Sequence, residues 1–143
     1  MVTQDKPFFW LNNPIMSNPE LQNACKNVAA ALQGFLSWKW DNRFGVVLAE
    51  FGTEDKDKIL SVLEQHFNSV WDMSSIQTAP ENVYAAANSL GGLDEEQVFF
   101  TSAIEKEILI FCAWWPWGNG KTISIRIAPF PGSGESVKGC FGL

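Results

Sequence analysis

Apolar residues recur at three- and four-residue steps in three stretches of the chain, which is the period of an amphipathic α-helix. The first stretch predicts a helix of about twenty residues that begins at Asn18, with Pro19 suited to the first helical position. Thr53 is the expected cap of the second helix, and the third follows the capping-box pattern Thr78-x-x-Glu81. The apolar positions are Leu21, Ala24, Cys25, Val28, Ala31, Leu32, Phe35 and Leu36 in the first helix, Ile59, Leu60, Leu63, Phe67, Val70 and Trp71 in the second, and Val83, Tyr84, Ala87 and Leu90 in the third.

Other apolar runs have the shorter length and the bounding turn residues of β-strands. Residues 44–51 predict a buried strand, and residues 97–104, 107–115 and 121–128 predict three more, joined by short turns. A further short strand is predicted over residues 73–77. Helices therefore dominate the first part of the chain and an antiparallel meander dominates the last part.

This order of elements predicts an α+β fold. We expect an antiparallel sheet, built from the C-terminal three-strand meander and the 44–51 strand, with about three helices packed on one face. Residues 1–130 are expected to form a single domain in which residues 1–16 are a packing arm. Residues 131–143 are rich in glycine and serine and are expected to form a flexible tail.

Composition narrows the class of protein. The chain has 143 residues, of which 46% are hydrophobic and 18% charged, as in a globular protein. Its three cysteines form no CxxC pair and no N-glycosylation sequon occurs, which predicts a reducing, cytoplasmic setting. No apolar run has the length of a membrane-spanning helix, and no set of residues has the spacing of a metal site, so neither membrane nor metal is expected.

The net charge of −6 argues against nucleic acid as a partner, because a phosphate backbone would repel an acidic chain. An acidic chain is instead suited to association with a basic protein.

The tripeptide Gly120-Lys121-Thr122 resembles part of a phosphate-binding loop, but its context does not. Such a loop needs a glycine where this chain has Trp115, and a helix where this chain continues as a strand. We interpret Asn119-Gly120 as the two-residue type I′ turn of a β-hairpin, with the tripeptide at its exit.

The hairpin register decides which way its tryptophans face. With a two-residue turn, Trp117 opposes Thr122, Trp115 opposes Ser124, and Arg126 lies on the same face. Large aromatic side chains beside an arginine are typical of a protein-binding hot spot, so these three residues, Trp115, Trp117 and Arg126, are the predicted partner-binding site. Two alternatives stay open: another segment covers the tryptophans, or a three-residue turn shifts the register by one.

Other chemically suggestive residues have simpler interpretations. His66 is the only histidine and lies on the flank of the second helix, where no motif ties it to a nucleophile or a carboxylate. Trp38 and Trp40 at the end of the first helix are expected to pack at a helix–strand corner. No cofactor is predicted.

The leading hypothesis is therefore a non-catalytic protein-interaction module, a small acidic protein that binds a protein partner or a second copy of itself through an aromatic sheet face. Immunity proteins, antitoxins, chaperones and adaptors fit this profile. The alternative is a small-ligand-binding or weakly catalytic cone-shaped α+β domain with an apolar pocket. Its pocket would be lined by Trp114, Phe111, Tyr84 and His66.

Overall fold

Helices and strands follow one another along the chain in the computed structural model, which describes residues 18–105 and 107–143. Within these residues the α-helices are α1 (Pro19–Ala31), α2 (Lys56–His66) and α3 (Glu81–Asn88). The strands are β1 (Trp38–Asp41), β2 (Val46–Gly52), β3 (Ser69–Trp71), β4 (Val98–Ala103), β5 (Leu109–Pro116) and β6 (Thr122–Phe130). Short 3₁₀ helices span Thr53–Asp55, Ser75–Thr78 and Gly134–Phe141.

All six strands form one antiparallel sheet in the order β1-β2-β6-β5-β4-β3. The predicted α+β class is confirmed, and the predicted meander is the β4-β5-β6 part of this sheet. The sheet also gains an edge strand at each end, β1 and β3, that the sequence pattern did not predict at those positions.

The helices are divided between the two faces of the sheet rather than gathered on one. Successive residues of a strand point to opposite faces, so the central strands are apolar on both. On one face, α1 and α2 pack on Ile123, Ile125 and Ile127 of β6. On the other face, α3 packs on Phe111 and Ala113 of β5. Two hydrophobic cores therefore share the sheet as their common wall.

Helix α1 begins where its sequence predicts and ends earlier. The Asn18 side chain accepts a hydrogen bond from the Leu21 amide at 2.9 Å, which satisfies one of the free N–H groups of the first turn. Gly34 has a φ angle of 91°, a left-handed conformation that stops the helix soon after Ala31. Trp38 and Trp40 therefore lie on strand β1, not at a helix end.

Helix α2 also ends earlier than its apolar pattern suggests. It begins after the 3₁₀ turn Thr53–Asp55, ends at His66, and gives way to β3, on which Val70 is exposed. The strand predicted over residues 73–77 is wrong. Instead, the Asp72 carboxylate accepts hydrogen bonds from the backbone amides of Ser74 and Ser75, and a 3₁₀ turn follows.

The capping box predicted for α3 does not form. The helix begins at Glu81 after Pro80, with no side-chain cap, while the Thr78 hydroxyl donates to the Ser75 carbonyl at 3.1 Å. Tyr84, predicted to face inward, is 40% exposed.

The C-terminal segment is packed, which corrects the expectation of a flexible tail. Val137 and Phe141 of the 3₁₀ segment Gly134–Phe141 are buried in the core beneath α1. Gly134 is required by close packing, because a Cβ atom there would lie only 2.6 Å from the carbonyl oxygen of Gly45. Phe141 also meets the ring of Trp38 at 4.6 Å between centroids.

The sequence predicts an N-terminal packing arm and no membrane-spanning helix. The predicted packing arm, residues 1–16, lies outside the described residues. Among the residues that the structure describes, no helix combines the length and the apolarity needed to span a membrane.

Candidate functional site

The β5–β6 hairpin has the predicted register but a different turn. Trp115 pairs with Ser124, as expected. The Trp117 amide donates to the Thr122 carbonyl at 2.8 Å, and Gly120 has a positive φ angle of 70° whereas Asn119 does not. The loop is therefore four residues long rather than a two-residue type I′ turn. The observed four-residue loop and the predicted two-residue turn are both centred on the Asn119–Gly120 bond, so they give the same strand register.

Asn119 holds this loop through its side chain. Its Oδ1 atom accepts hydrogen bonds from the amides of Lys121 at 2.8 Å and Thr122 at 3.1 Å. Strand β6 begins at Thr122, so the residues after Gly-Lys-Thr form a strand, as predicted. The tripeptide thus lacks the helix N-terminus that a phosphate-binding loop requires.

Trp115 and Arg126 lie together on the sheet face that α3 also covers, and Arg126 is held by contacts within the protein. Its Nε atom donates to Asp41 Oδ2 at 2.9 Å, and its Nη1 atom donates to Ser124 Oγ at 2.9 Å. Its guanidinium carbon lies 4.2 Å from the centroid of the Trp115 ring. Phe44 packs edge-on against the same ring at 5.8 Å.

This aromatic–ionic cluster, formed by Asp41, Phe44, Trp115, Ser124 and Arg126, joins β1, β5 and β6 through side chains. The Arg126 and Asp41 side chains are only 15% and 9% exposed. Two of the five N–H donors of Arg126 are thus used within the protein, and its guanidinium group lies over the Trp115 ring. The cluster therefore has the chemistry of an internal brace across the sheet.

Trp117 is in a different environment from Trp115. It follows the last residue of β5, Pro116, and its side chain is 44% exposed. It lines a groove of about 470 Å³ at the hairpin end of the sheet, which we call the Trp117 groove. The apolar residues of this groove are Leu60, Val98, Trp114, Pro116, Trp117 and Ile123, and its polar or small residues are Thr53, Lys56, Glu96, Gly120 and Thr122.

Each element contributes to the Trp117 groove for a local reason. Strand β5 places Trp114 on the α1–α2 face, where it is almost fully buried and packs 5.5 Å from the Phe51 ring. The strand ends at Pro116, and Trp117 follows it at the start of the hairpin loop, where its side chain lines the groove. Leu60 comes from the first turns of α2. The feature of the sequence that could have indicated this site is the position of Trp117 between Pro116 and Gly118, two residue types that interrupt strands.

The alternative pocket predicted from Trp114, Phe111, Tyr84 and His66 is not assembled. Trp114 and Phe111 project from opposite faces of β5, and both are buried. Tyr84 is on α3, on the Phe111 side, whereas His66 is the last residue of α2, on the Trp114 side. The four side chains therefore do not line one cavity. Trp114 borders the Trp117 groove, and Phe111 lines a separate, smaller pocket of about 120 Å³ on the other face of the sheet.

A second groove, of about 360 Å³, lies between α1, β1 and the C-terminal segment. Lys26 is the charged residue on its wall, and Cys140 is half-buried there. Burial raises the pKa of the Cys140 thiol, an effect that nearby Lys26 opposes. Burial raises the pKa of the Cys25 and Cys112 thiols far more strongly, because both are enclosed in the core. The residues of this groove are Lys26, Ala29, Ala30, Gln33, Leu36, Trp38, Cys140 and Phe141.

Within the described residues, no group of three or more His, Cys, Asp or Glu side chains is arranged to hold a metal ion. Comparison with protein-family models, with curated proteins and with solved structures finds no match.

Proposed function

We propose that this protein is a non-catalytic interaction module that holds a short segment of a protein partner in the Trp117 groove. The observation that carries the proposal is the exposed indole of Trp117 beside an apolar groove of about 470 Å³. Tryptophan is the residue type most enriched in binding hot spots, where it is surrounded by apolar surface that excludes water.

The proposed site is the groove rather than the whole aromatic sheet face. Trp115 and Arg126 are engaged with Asp41, Ser124 and one another, so a partner would have to compete with those contacts. Trp117 has no such constraint from the cluster, and its ring is available to an incoming side chain. The proposal therefore keeps Trp117 from the predicted binding set and gives Trp115 and Arg126 a supporting structural role.

The expected contribution of Trp117 follows from its exposed surface. Burying a large aromatic side chain at the centre of an interface contributes at least about 2 kcal/mol, or roughly 30-fold in Kd. Because Trp117 is 44% exposed and outside both cores, its replacement by alanine should leave the fold intact.

The test is an affinity capture from the protein's own cells. It compares three baits at equal loading: the wild-type protein, Trp117→Ala and Tyr84→Ala. Tyr84 is the matched control, because it is an aromatic residue of similar exposure on α3, away from the groove. Captured material is quantified by mass spectrometry, and the mass of the eluted complex separates a foreign partner from a second copy of this chain. We expect a stoichiometric protein that wild type and Tyr84→Ala retain and Trp117→Ala loses. Equal capture by Trp117→Ala would exclude the groove as the site.

A second candidate function is the binding of an apolar small molecule in the same groove. Its volume falls within the range of about 300–1,000 Å³ that is usual for ligand pockets, and most of its lining is apolar. Native mass spectrometry of the protein purified from its own cells would reveal a retained molecule. A Trp117-dependent mass increment below 1 kDa would favour this function, and its absence together with a captured protein would favour the first.

A further inference from the structure

We infer that the segment held by the Trp117 groove is a basic one, an apolar residue flanked by lysine or arginine. This inference rests on the function proposed above and names the chemistry of the partner.

The charged groups on the wall of the groove are the carboxylate of Glu96 and the ammonium group of Lys56. The polar wall residues Thr53 and Lys56 belong to one acidic stretch of the chain, and Glu96 belongs to another. Residues 53–58 and 94–96 contain six acidic residues and two lysines, and a third lysine directly precedes Thr122 on the wall, so the formal charge of these segments is −3. The acidic residues are Glu54, Asp55, Asp57, Asp94, Glu95 and Glu96, and the lysines are Lys56, Lys58 and Lys121.

The second stretch is held in a defined turn at the edge of the groove. The Gln97 amide donates to the Asp94 carbonyl at 3.1 Å, and the Asp94 amide donates to the Gln97 side chain at 2.8 Å. All three carboxylate side chains of this turn are exposed. Like charges held side by side repel one another, and a cationic group from a partner relieves that repulsion.

The acidic border distinguishes this groove from the second one. The groove between α1, β1 and the C-terminal segment has Lys26 on its wall and no carboxylate among its lining residues. Of these two grooves, the one with the exposed tryptophan is therefore the one that has a carboxylate, Glu96, on its wall. An acidic segment or a nucleic acid would be repelled there, whereas a basic segment would be attracted before contact.

Exposed charges act mainly on the rate of encounter and are screened by salt, with a Debye length of about 8 Å at physiological ionic strength. We therefore expect the affinity of a matching peptide to fall by roughly 10-fold between 0.05 and 0.5 M NaCl, mostly through the association rate. The apolar anchor on Trp117 should retain a salt-independent part of the affinity.

The experiment selects binders from an unbiased display library of random ten-residue peptides, on wild type and on Trp117→Ala in parallel. Wild-type-specific binders enriched in lysine and arginine around an apolar residue are the expected result. Wild-type-specific binders without basic enrichment would overturn this inference and leave the proposed function standing. If no binder depends on Trp117, the proposed function fails, and this inference fails with it.

Charge-reversal variants give a second, quantitative test with the selected peptides. Glu95→Lys/Glu96→Lys is expected to weaken binding by 10-fold or more, since it reverses two charges at the groove. Glu64→Lys/Glu107→Lys makes the same change in net charge, at exposed sites farther along α2 and beyond the opposite end of β5. Thermal melts establish that both variants are folded. Equal weakening by the two variants would mean that only overall charge matters and would refute a basic subsite.

Discussion

The ion pair between Asp41 and Arg126 decides whether Arg126 braces the sheet or is free to bind a partner. We expect Asp41→Asn and Arg126→Met each to lower the free energy of unfolding. Asparagine preserves the acceptor that receives the Arg43 amide at 2.9 Å, so the β1–β2 turn is left intact. Methionine preserves the length and apolar packing of the arginine side chain over Trp115 without its charge.

The magnitude follows from burial. Breaking a fully buried pair costs about 3–5 kcal/mol, whereas an exposed pair contributes about 0.2–1 kcal/mol. With side chains 15% and 9% exposed and 2.9 Å apart, this pair lies near the buried limit, so we expect about 2–3 kcal/mol for each single change. The double variant leaves no unpaired charge and should cost less than the two single changes together.

The coupling energy between Asp41 and Arg126 is measured by urea denaturation of four proteins: the wild type, the two single variants and the double variant. The control is the cycle Lys39→Met with Glu50→Gln, on the neighbouring strands β1 and β2, where the ion pair spans 3.1 Å but the side chains are 58% and 32% exposed. We expect a coupling of at least about 1 kcal/mol for the first pair and below about 0.5 kcal/mol for the control. Equal coupling in the two cycles would refute the brace and make Arg126 a candidate for the binding surface again.

Four other residues give independent checks on packing, strain and reactivity. In the described part of the chain the buried Trp115 Nε1 has no hydrogen-bond partner, so Trp115→Phe should stay within about 1 kcal/mol of wild type in urea while Trp115→Ala loses about 2–4 kcal/mol. Equal losses would mean the indole N–H is bonded. Glu96 has a φ angle of 72°, so Glu96→Gly should raise stability by about 1 kcal/mol in a thermal melt; a lower Tm would show that no strain exists there. Gly134→Ala should cost about 2 kcal/mol or more, since its Cβ would meet Gly45 backbone at 2.6 Å, and an unchanged Tm would contradict the packed C-terminus. With a disulfide reagent, Cys140 should be the only thiol that reacts before unfolding; one fast-reacting thiol in Cys140→Ser would refute this.

Local patterns predicted those parts of the fold that depend on neighbouring residues. The Asn18–Pro19 start of α1 is visible in the sequence, because a cap and a first-turn proline act within one helical turn. The pairing of Trp115 with Ser124 is also visible, since a hairpin register depends only on where its turn is centred. The same patterns overextended both helices: α1 ends near Gly34, before its last predicted apolar positions, and the last predicted apolar positions of α2, Val70 and Trp71, lie on the edge strand β3.

The candidate site was predicted only in part for the same reason. The sequence pattern predicts Trp117 as a partner-binding residue on one face with Trp115 and Arg126, because strand alternation is assumed to continue past Pro116. The end of the strand at Pro116 and the position of α2 decide that Trp117 borders a groove instead.

The sequence by itself determined the α+β class, the two faces of the central strands and the order of the hairpins, since these follow from periodicity and turn residues. The tertiary structure alone decided what lies on each face. Arg126 bonds to Asp41 across 85 positions of the chain, and Gly134, in a stretch whose composition suggests a loose tail, packs closely against the β1–β2 turn. Such contacts depend on which elements meet in space, and the free energy that selects them comes from burial over the whole molecule rather than from any local stretch.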